Sequence, residues 1–479
     1  MMEVRKTRVN KEASVMSAQY RSEHDSLGTK DVPAGAYYGV QSLRAAENFR
    51  ITGLSVHPQL ITSVAEIKKA AALTNLEIGL LDRPVAEAII RACNEITAGR
   101  LHNAFIVDPI QGGAGTSLNM NANEVIANRA IELLGGRKGD YALVSPYDHV
   151  NRSQSTNDVI PSAGKLTVLK LLTAARAQLE RLCQALETKG EVFDDVLKMG
   201  RTQMQDAVPI RLGQEFRAYG QAVRRDIDRL GRVQEEMRRL NMGGTAVGTG
   251  INADGRYLRR IVPNLSKVTG LRLVQAEDLI DATQNADAFV SVSGAVKTCA
   301  VNLSKLSNDL RLMSSGPRCG LGEIELPPRQ NGSSIMPGKV NPVIPEVVNQ
   351  VAFQIMGNDL TITMAAEAGQ LELNAFEPVI LHNLIQSVEI LDRAAQALTD
   401  HCIAGITANR ERCRALVENS VGLITALCPH VGYERASQLA KRAIATGAPV
   451  RTLILEEGLA DEETLDRILD PCAMTGPEL

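Results

Sequence analysis

The residues best suited to chemistry lie in one eleven-residue run, Gly332-Ser333-Ser334-Ile335-Met336-Pro337-Gly338-Lys339-Val340-Asn341-Pro342. It offers two adjacent hydroxyls, an ammonium and a carboxamide. Pro337 and Pro342 each lack a backbone donor, and Gly332 and Gly338 admit dihedrals closed to other residues, so the run can be neither helix nor central strand. It stands between two long helical patterns. A donor-rich loop held by rigid elements is a common seat for catalytic groups, and a plain connector has no use for Ser-Ser, Lys and Asn together.

Three other segments share this composition. Residues 111–117, Gln-Gly-Gly-Ala-Gly-Thr-Ser, precede a helical pattern that begins near Asn121. Their glycines let backbone N–H groups approach an anion, and a helix N-terminus adds a positive dipole end. Taken alone, such a turn is more often structural. Residues 151–158, Asn-Arg-Ser-Gln-Ser-Thr-Asn-Asp, precede the first long helix. Ser155 or Asn157 can serve there as an N-cap, but capping needs one such residue and the segment supplies five uncharged donors in succession. Residues 200–209, which include Thr202 and Gln203, again present hydroxyl and amide groups, with a polar turn as the plain alternative. Together the segments offer hydroxyls, amides, helix N-termini and one lysine, with few carboxylates. That lining suits a small dianion.

Those groups need a scaffold, and the chain of 479 residues is long enough for a large core. Lys+Arg total 52 against 55 Asp+Glu, for a formal net charge of -3, which argues against nucleic acid as a partner. Aromatic residues are 3% with no Trp, so base-stacking platforms are not expected. No apolar run reaches the roughly 20 residues of a membrane span, and the N-terminus lacks the apolar stretch of a signal peptide. The eight cysteines are scattered without a C-x-x-C pair, which suggests reduced thiols and a cytoplasmic location. No H-x-x-x-H or E-x-x-H occurs, so a helical transition-metal site is not supported and chemistry without a metal or other cofactor is expected.

Helical periodicity dominates the middle of the chain. From Asn157 to Glu187, Val168, Leu172, Ala175, Leu179, Leu182 and Leu186 advance alternately by four and three, a coiled-coil-like seam. A second helix starts near Leu212 and carries Val223, Ile227, Leu230, Met237 and Leu240. A third is expected over residues 277–314, more than about 50 Å long, a fourth over 345–368 and a fifth over 377–407. Several are apolar on more than one side, as in 166–172 and 286–306, and such helices must be buried in a larger assembly. Homo-oligomerisation is therefore expected. Shorter helical patterns cover 60–79, 83–98, 121–135, 432–447 and 461–469, and residues 450–453 read as a helix start or a short strand. The expected organisation is mostly α: a disordered lead-in over 1–15, a mixed helix-and-loop domain over 16–156, a central five-helix bundle over 157–409 and a small helical domain over 410–479.

With these residues in view, the chain over 16–479 resembles the aspartase/fumarase superfamily. GSSIMPGKVNP matches that superfamily's signature loop. The continuation Val343-Ile344-Pro345-Glu346-Val347-Val348-Asn349-Gln350 resembles the aspartate-specific branch, as does Ala114, where fumarases usually carry serine. The resemblance implies the reversible loss of ammonia from L-aspartate to give fumarate, by anti-elimination through an enediolate carbanion. It implies Ser333 as general base on a mobile loop, and Lys339 and Asn341 on a substrate carboxylate. Thr116, Ser155, Thr156, Asn157, Thr202 and Gln203 match the substrate pocket. The loop around Gly332, Ser334, Ile335 and Met336 is implied to stabilise the enediolate with its amides. A homotetramer is implied as well, its core built from the bundle helices of four subunits and each active site from three chains.

One position departs from many members. Gln203 stands where they have a histidine paired with a glutamate matching Glu346, and an amide cannot protonate a departing hydroxyl. The departure fits ammonia loss and leaves the role of Glu346 open. Lys30 matches an arginine sometimes assigned to substrate. The alternatives are a fumarate hydratase acting on malate, or a family scaffold without activity. Some members respond to divalent metal, and this sequence shows no ligand cluster for such activation.

Overall fold

The computed structural model describes residues 20–476, and the expected lead-in over 1–15 lies outside the described residues. The chain divides into two compact units. One holds the described residues up to Gly164 together with Arg239–Asn285 and Gly369–Val379; the other holds Lys165–Arg238, Ala286–Ala368 and the chain from Ile380 onward.

The first unit opens with an antiparallel hairpin, β1 (Tyr20–Asp25) and β2 (Gly28–Pro33), in which Glu23 pairs with Lys30. Helices α1 (Val40–Asn48), α2 (Pro58–Glu77), α3 (Arg83–Thr97) and α4 (Thr116–Leu133) follow. Proline at the start of α2 and of α3 uses a position whose N–H has no helical partner anyway. Helix α4 begins five residues before the expected Asn121, because the glycine-rich turn closes directly onto it and Asn119 N–H already reaches Gly115 O at 3.0 Å. The 37-residue helix α5 (Thr156–Val192) leaves this unit for the second.

In the second unit the seam of α5 is the core: Val168, Leu172, Ala175, Leu179, Leu182 and Leu186 are all fully buried. A second hairpin, β3 (Leu197–Thr202) and β4 (Gln205–Arg211), leads into α6 (Leu212–Gln234). Helices α5 and α6 meet closely at Gly190 and Gly213, where a Cβ on Gly213 would lie 2.3 Å from Gly190 O. Helix α6 stops at Gln234, whose amide turns onto Leu169 O (3.2 Å) and Thr173 Oγ1 (3.0 Å) of α5, so Met237 and Leu240 fall in a short 3-10 turn and a two-residue strand. After α7 (Gly255–Thr269) of the first unit, the helix expected over 277–314 is divided. A single turn at Asp281–Gln284 ends at extended Asn285, whose amide bonds the Asp281 carboxylate at 2.7 Å, and the long helix α8 is Asp287–Met313. Its 27 residues span about 40 Å.

Helix α9 (Val343–Glu367) lies along α8, joined by Asn349 Nδ2 to Ser304 Oγ (2.9 Å) and by Lys297 to Asp359 (2.6 Å). Helix α10 (Glu377–His401) ends six residues before the expected Thr407, where a 3-10 turn and a short strand pairing with Ile324–Glu325 take over. The short helices α11 (Arg410–Glu418), α12 (Ile424–Val431), α13 (Tyr433–Thr446), α14 (Val450–Glu456) and α15 (Glu462–Ile468) enclose an apolar core that includes Leu427, Leu439, Ile454 and Leu465. Residues 450–453 therefore start a helix.

Phe216 on α6 is fully buried and meets Phe193 and Tyr219 edge-on, with ring centroids 5.3 and 5.9 Å away. Phe216→Ala should lower the unfolding free energy by ~3–5 kcal/mol, read as a shifted urea midpoint. A change below about 1 kcal/mol would show that these rings do not anchor the bundle.

Candidate active site

In the first unit, two of the donor-rich segments come together. Gly113, Ala114 and Gly115 all have positive φ (79°, 53° and 86°), which folds the chain back on itself just before α4. A Cβ on Gly115 would lie 2.9 Å from Ile160 Cγ2, so the turn is pressed against the start of α5. Thr116, the first residue of α4, donates its hydroxyl to Gly113 O at 2.7 Å.

The start of α5 carries Ser155, Thr156 and Asn157. Ser155 is the N-cap: its Oγ accepts from Asn157 N–H (3.3 Å), and its own N–H donates to Asp158 Oδ1 (2.9 Å). The cap is thus tied to the first turn of the helix from both sides. The other oxygen of Asp158 accepts from the N–H groups of Gly243 and Thr245, each at 3.1 Å. Burial pushes the Asp158 carboxyl up to about 6, against three backbone hydrogen bonds and the field of Lys68. Asn157 donates Nδ2 to Ala246 O at 2.7 Å, and Asn241 Nδ2 reaches Asn157 O at 2.9 Å.

The segment Met242-Gly243-Gly244-Thr245-Ala246-Val247-Gly248-Thr249-Gly250 is thus part of this site, and sequence reasoning missed it. Its signal was four glycines in eight residues outside any periodic pattern. A Cβ on Gly248 would come within 2.4 Å of the Ile280 backbone.

A second group that sequence reasoning missed holds residues 151–153. Lys68 of α2 is fully buried and donates Nζ to Asn151 Oδ1 at 2.9 Å. Desolvation holds its pKa down to about 7, with Asp158 and Cys93 acting the other way. Asn75, about two helical turns further along α2, clamps the backbone: its Nδ2 donates to Arg152 O (3.1 Å) and its Oδ1 accepts from Ser153 Oγ (3.0 Å).

Thr202 and Gln203 belong to the second unit, at the tip of the β3–β4 hairpin. Thr202 pairs with Gln205, and the two residues between them, Gln203 and Met204, both have positive φ (55° and 66°). This is the turn geometry that matches strand twist but normally takes glycine or asparagine. Met204 is 65% exposed. The hairpin is anchored from below: Arg201 reaches Glu323 at 2.8 Å, Lys198 reaches Glu215 at 3.1 Å, and Ser420 Oγ donates to Asp206 at 2.7 Å.

The loop over 332–342, also in the second unit, is closed by two bonds at its base. Gly332 N–H donates to Lys339 O (2.9 Å) and Asn341 Nδ2 donates to Gly332 O (2.8 Å). A Cβ on Gly332 would stand 2.4 Å from Lys339 O, so only glycine fits. Ser333 Oγ accepts from the N–H groups of Ile335 (3.2 Å) and Met336 (3.1 Å). Hydrogen bonds to the hydroxyl oxygen favour its deprotonated form. In this conformation the amides of Gly332, Ile335 and Met336 are therefore satisfied within the loop. Ile335 is 83% exposed, Ser334 and Lys339 are exposed, and Lys339 makes no ion pair among the described residues. Lys30, by contrast, is engaged by Glu47 at 2.8 Å. Glu346 lies half-buried in the first turn of α9.

Thr116, Ser155, Thr156 and Asn157 thus share one unit, while Thr202, Gln203 and the 332–342 loop stand in the other. Among the described residues there is no group of three His, Cys, Asp or Glu side chains placed to hold a metal. No helix among them is long and apolar enough to cross a membrane, and the seven described cysteines are free thiols.

Residues 28–357 match the family described as Lyase, and residues 423–476 match Fumarase C C-terminus. The chain is 54% identical over 459 residues to the aspartate ammonia-lyase of Bacillus subtilis (strain 168), covering 96% of this chain and 97% of that one. It is 52% identical over 459 residues to the aspartate ammonia-lyase of Helicobacter pylori (strain ATCC 700392 / 26695), covering 95% and 98%. Among solved structures, the fumarate lyase:delta crystallin from Brucella melitensis bound to cobalt aligns with a TM-score of 0.93 at 52% identity, over 96% of this chain and 100% of that one. The class II fumarase from Schistosoma mansoni aligns at 0.92 and 37%, also over 96% and 100%. With a family match across more than half its residues and relatives this similar over nearly full length, the chain belongs to the aspartase/fumarase superfamily, in its aspartate ammonia-lyase family.

Proposed function

We propose that this enzyme, a carbon–nitrogen lyase, interconverts L-aspartate with fumarate and ammonia, and that Ser333 is its general base. The observation that carries the reading is the Ser333 oxygen held by two backbone amides at the head of a closed loop. A serine hydroxyl is a weak base at its ordinary pKa and needs its alkoxide stabilised. The amides of Ile335 and Met336 supply that without any side-chain charge. The relatives named aspartate ammonia-lyase support the choice of substrate.

In the proposed reaction Ser333 Oγ takes a proton from the carbon beta to the amine. The electron pair left behind delocalises into the adjacent carboxylate as an enediolate, with Lys339 and Asn341 opposite the charge. That pair then forms the carbon–carbon double bond as the carbon–nitrogen bond breaks. Ammonia departs with the bonding electrons and collects the proton from solvent or from Ser333. Ser155, Thr156, Thr116, Thr202 and Gln203 line the pocket. The bond from Asn157 Nδ2 to Ala246 O fixes the amide's orientation and presents its Oδ1 as an acceptor for the substrate amine. The scheme uses side chains and amides of this chain alone, with no cofactor, and the reduced cysteines suit the cytoplasm.

Self-association completes the reading. Phe353, Leu360 and Met364 are 61%, 62% and 63% exposed on α9, and a Cβ on Gly357 between them would meet nothing within 4 Å. An apolar stripe of this kind on a bundle helix calls for cover. A homotetramer with helices sharing a common core would provide it, with each site drawing its donor-rich segments from three chains.

Fumarate hydration is the second reading. Gln203 disfavours it, since an amide cannot deliver a proton to a leaving hydroxide. Ultraviolet absorbance of the conjugated diacid should rise with L-aspartate and stay flat with malate; the reverse would make this a hydratase, and silence with both an inactive scaffold. Ser333→Ala should lower kcat by ~10³ or more with the assembly intact. Gly332→Ala, which sets a Cβ against Lys339 O, should cost comparable activity while helix content by circular dichroism is unchanged. Near-normal rates in either variant would remove the loop from the mechanism. Leu360→Glu should shift the sedimenting species to lower mass and reduce activity with it; an unaltered assembly would show that the stripe is not an interface.

A further inference from the structure

We propose that Asn119 is a positioning residue that fixes the Thr156 hydroxyl as a hydrogen-bond donor to the substrate carboxylate. The inference deepens the lyase reading and rests on it. It follows from a chain of buried contacts in which each polarity determines the next.

The chain starts at Asn151. Its Nδ2 donates to the backbone carbonyl of Gln154 at 3.2 Å, and a carbonyl can only accept. Its Oδ1 therefore points the other way, toward Lys68 Nζ at 2.9 Å. The carbonyl of Gln154 alone sets the amide, so the orientation survives either protonation state of Lys68. That same Oδ1 accepts from Asn119 Nδ2 at 3.3 Å and from Asn123 Nδ2 at 3.2 Å. Three donors converge on one oxygen.

Asn119 is then determined in turn. Its nitrogen must face Asn151 Oδ1, because the reversed amide would set two oxygens against each other. The second hydrogen on that nitrogen goes to Thr156 Oγ1 at 3.1 Å. Asn119 is 1% exposed, and its own Oδ1 finds no donor among the described residues. The amide is thus held through its nitrogen.

Thr156 receives the consequence. Its oxygen accepts from Asn119, and its hydroxyl hydrogen has no acceptor among the described residues, although Thr156 is nearly buried. A threonine rotor left to itself can accept or donate. Here the Asn119 N–H occupies one lone pair and directs the hydroxyl hydrogen away from itself, which leaves that hydrogen free to donate, the polarity a carboxylate requires. Asn119 touches no substrate in this scheme; it acts through Thr156.

A double-mutant cycle with L-aspartate tests this. Thr156→Val keeps the shape and removes the hydroxyl, and should lower kcat/KM by roughly 10- to 100-fold, as for a lost hydrogen bond to a charged group. Asn119→Leu keeps the volume, removes the amide and frees the rotor, and should lower kcat/KM by about tenfold when Thr156 is present. In the Thr156→Val background Asn119→Leu should change kcat/KM by less than about twofold, while its effect on the thermal midpoint is the same in both backgrounds. An equal loss of kcat/KM in both backgrounds would make Asn119 merely structural and overturn the proposal. Full activity of Thr156→Val would overturn both the proposal and the placing of Thr156 in the pocket. Should Asn119→Leu fail to fold, Asn119→Ala takes its place in the same cycle with the same two readings.

Discussion

The first turn of α5 depends on one buried carboxylate. Asp158 accepts three backbone N–H groups, one from Ser155 on its own helix and two from Gly243 and Thr245 on a distant loop. An asparagine there would turn an N–H toward an N–H at one of these contacts, so the site calls for an acceptor on both arms. The desolvation that raises its pKa is opposed by those three amides and by Lys68. The result is a helix start tied both to its own cap and to the loop at Gly243 and Thr245. Ser155, Thr156 and Asn157 project from it at fixed angles, and the glycine-rich loop that receives Asn157 is held by the same charge.

The Ser333 loop is built on the opposite plan. Between Gly332 and Lys339 its hydrogen bonds are mostly internal, from Gly332 to Lys339, Asn341 to Gly332, Lys339 to Met336, and the amides of Ile335 and Met336 to Ser333, while its end at Asn341 and Pro342 is tied to the first turn of α9. Its tip is exposed, including the side chains of Ile335 and Lys339. A loop with internal bonds and few outer contacts can swing without losing its own shape. In the proposed mechanism the reactive oxygen is prepared within the loop itself, by the amides of Ile335 and Met336. Excluding water before a carbanion forms is what the proposed mechanism asks of such a loop.

Much of this was legible in the sequence, and the failures have physical causes. The long seam from Val168 to Leu186 was readable because a helix repeats its apolar positions, and the same holds for the cap at Ser155, which is a local pattern. The break at Asn285 was not readable, since both sides of it carry helical periodicity and only the Asn285–Asp281 bond ends the first turn. The two hairpins were missed because their strands are short and polar, and the β3–β4 turn uses Gln203 and Met204 where glycine or asparagine would have announced it. Lys68 and Asn119 sit inside ordinary helical runs. Nothing in a helical run says which polar side chain is buried or which amide faces it.

What the sequence determined by itself was the inventory and the local conformations: a donor-rich loop that glycine and proline keep out of regular structure, helix starts with their caps, and a bundle apolar enough to need burial. These follow from forces acting over a few residues. The tertiary structure decided the partners and their polarity. It brought Gly115 against Ile160, Gly243 and Thr245 onto Asp158, Lys68 onto Asn151, and Asn119 Nδ2 onto the Thr156 hydroxyl oxygen. Such contacts join residues far apart in the chain, and their geometry exists only once the helices have packed.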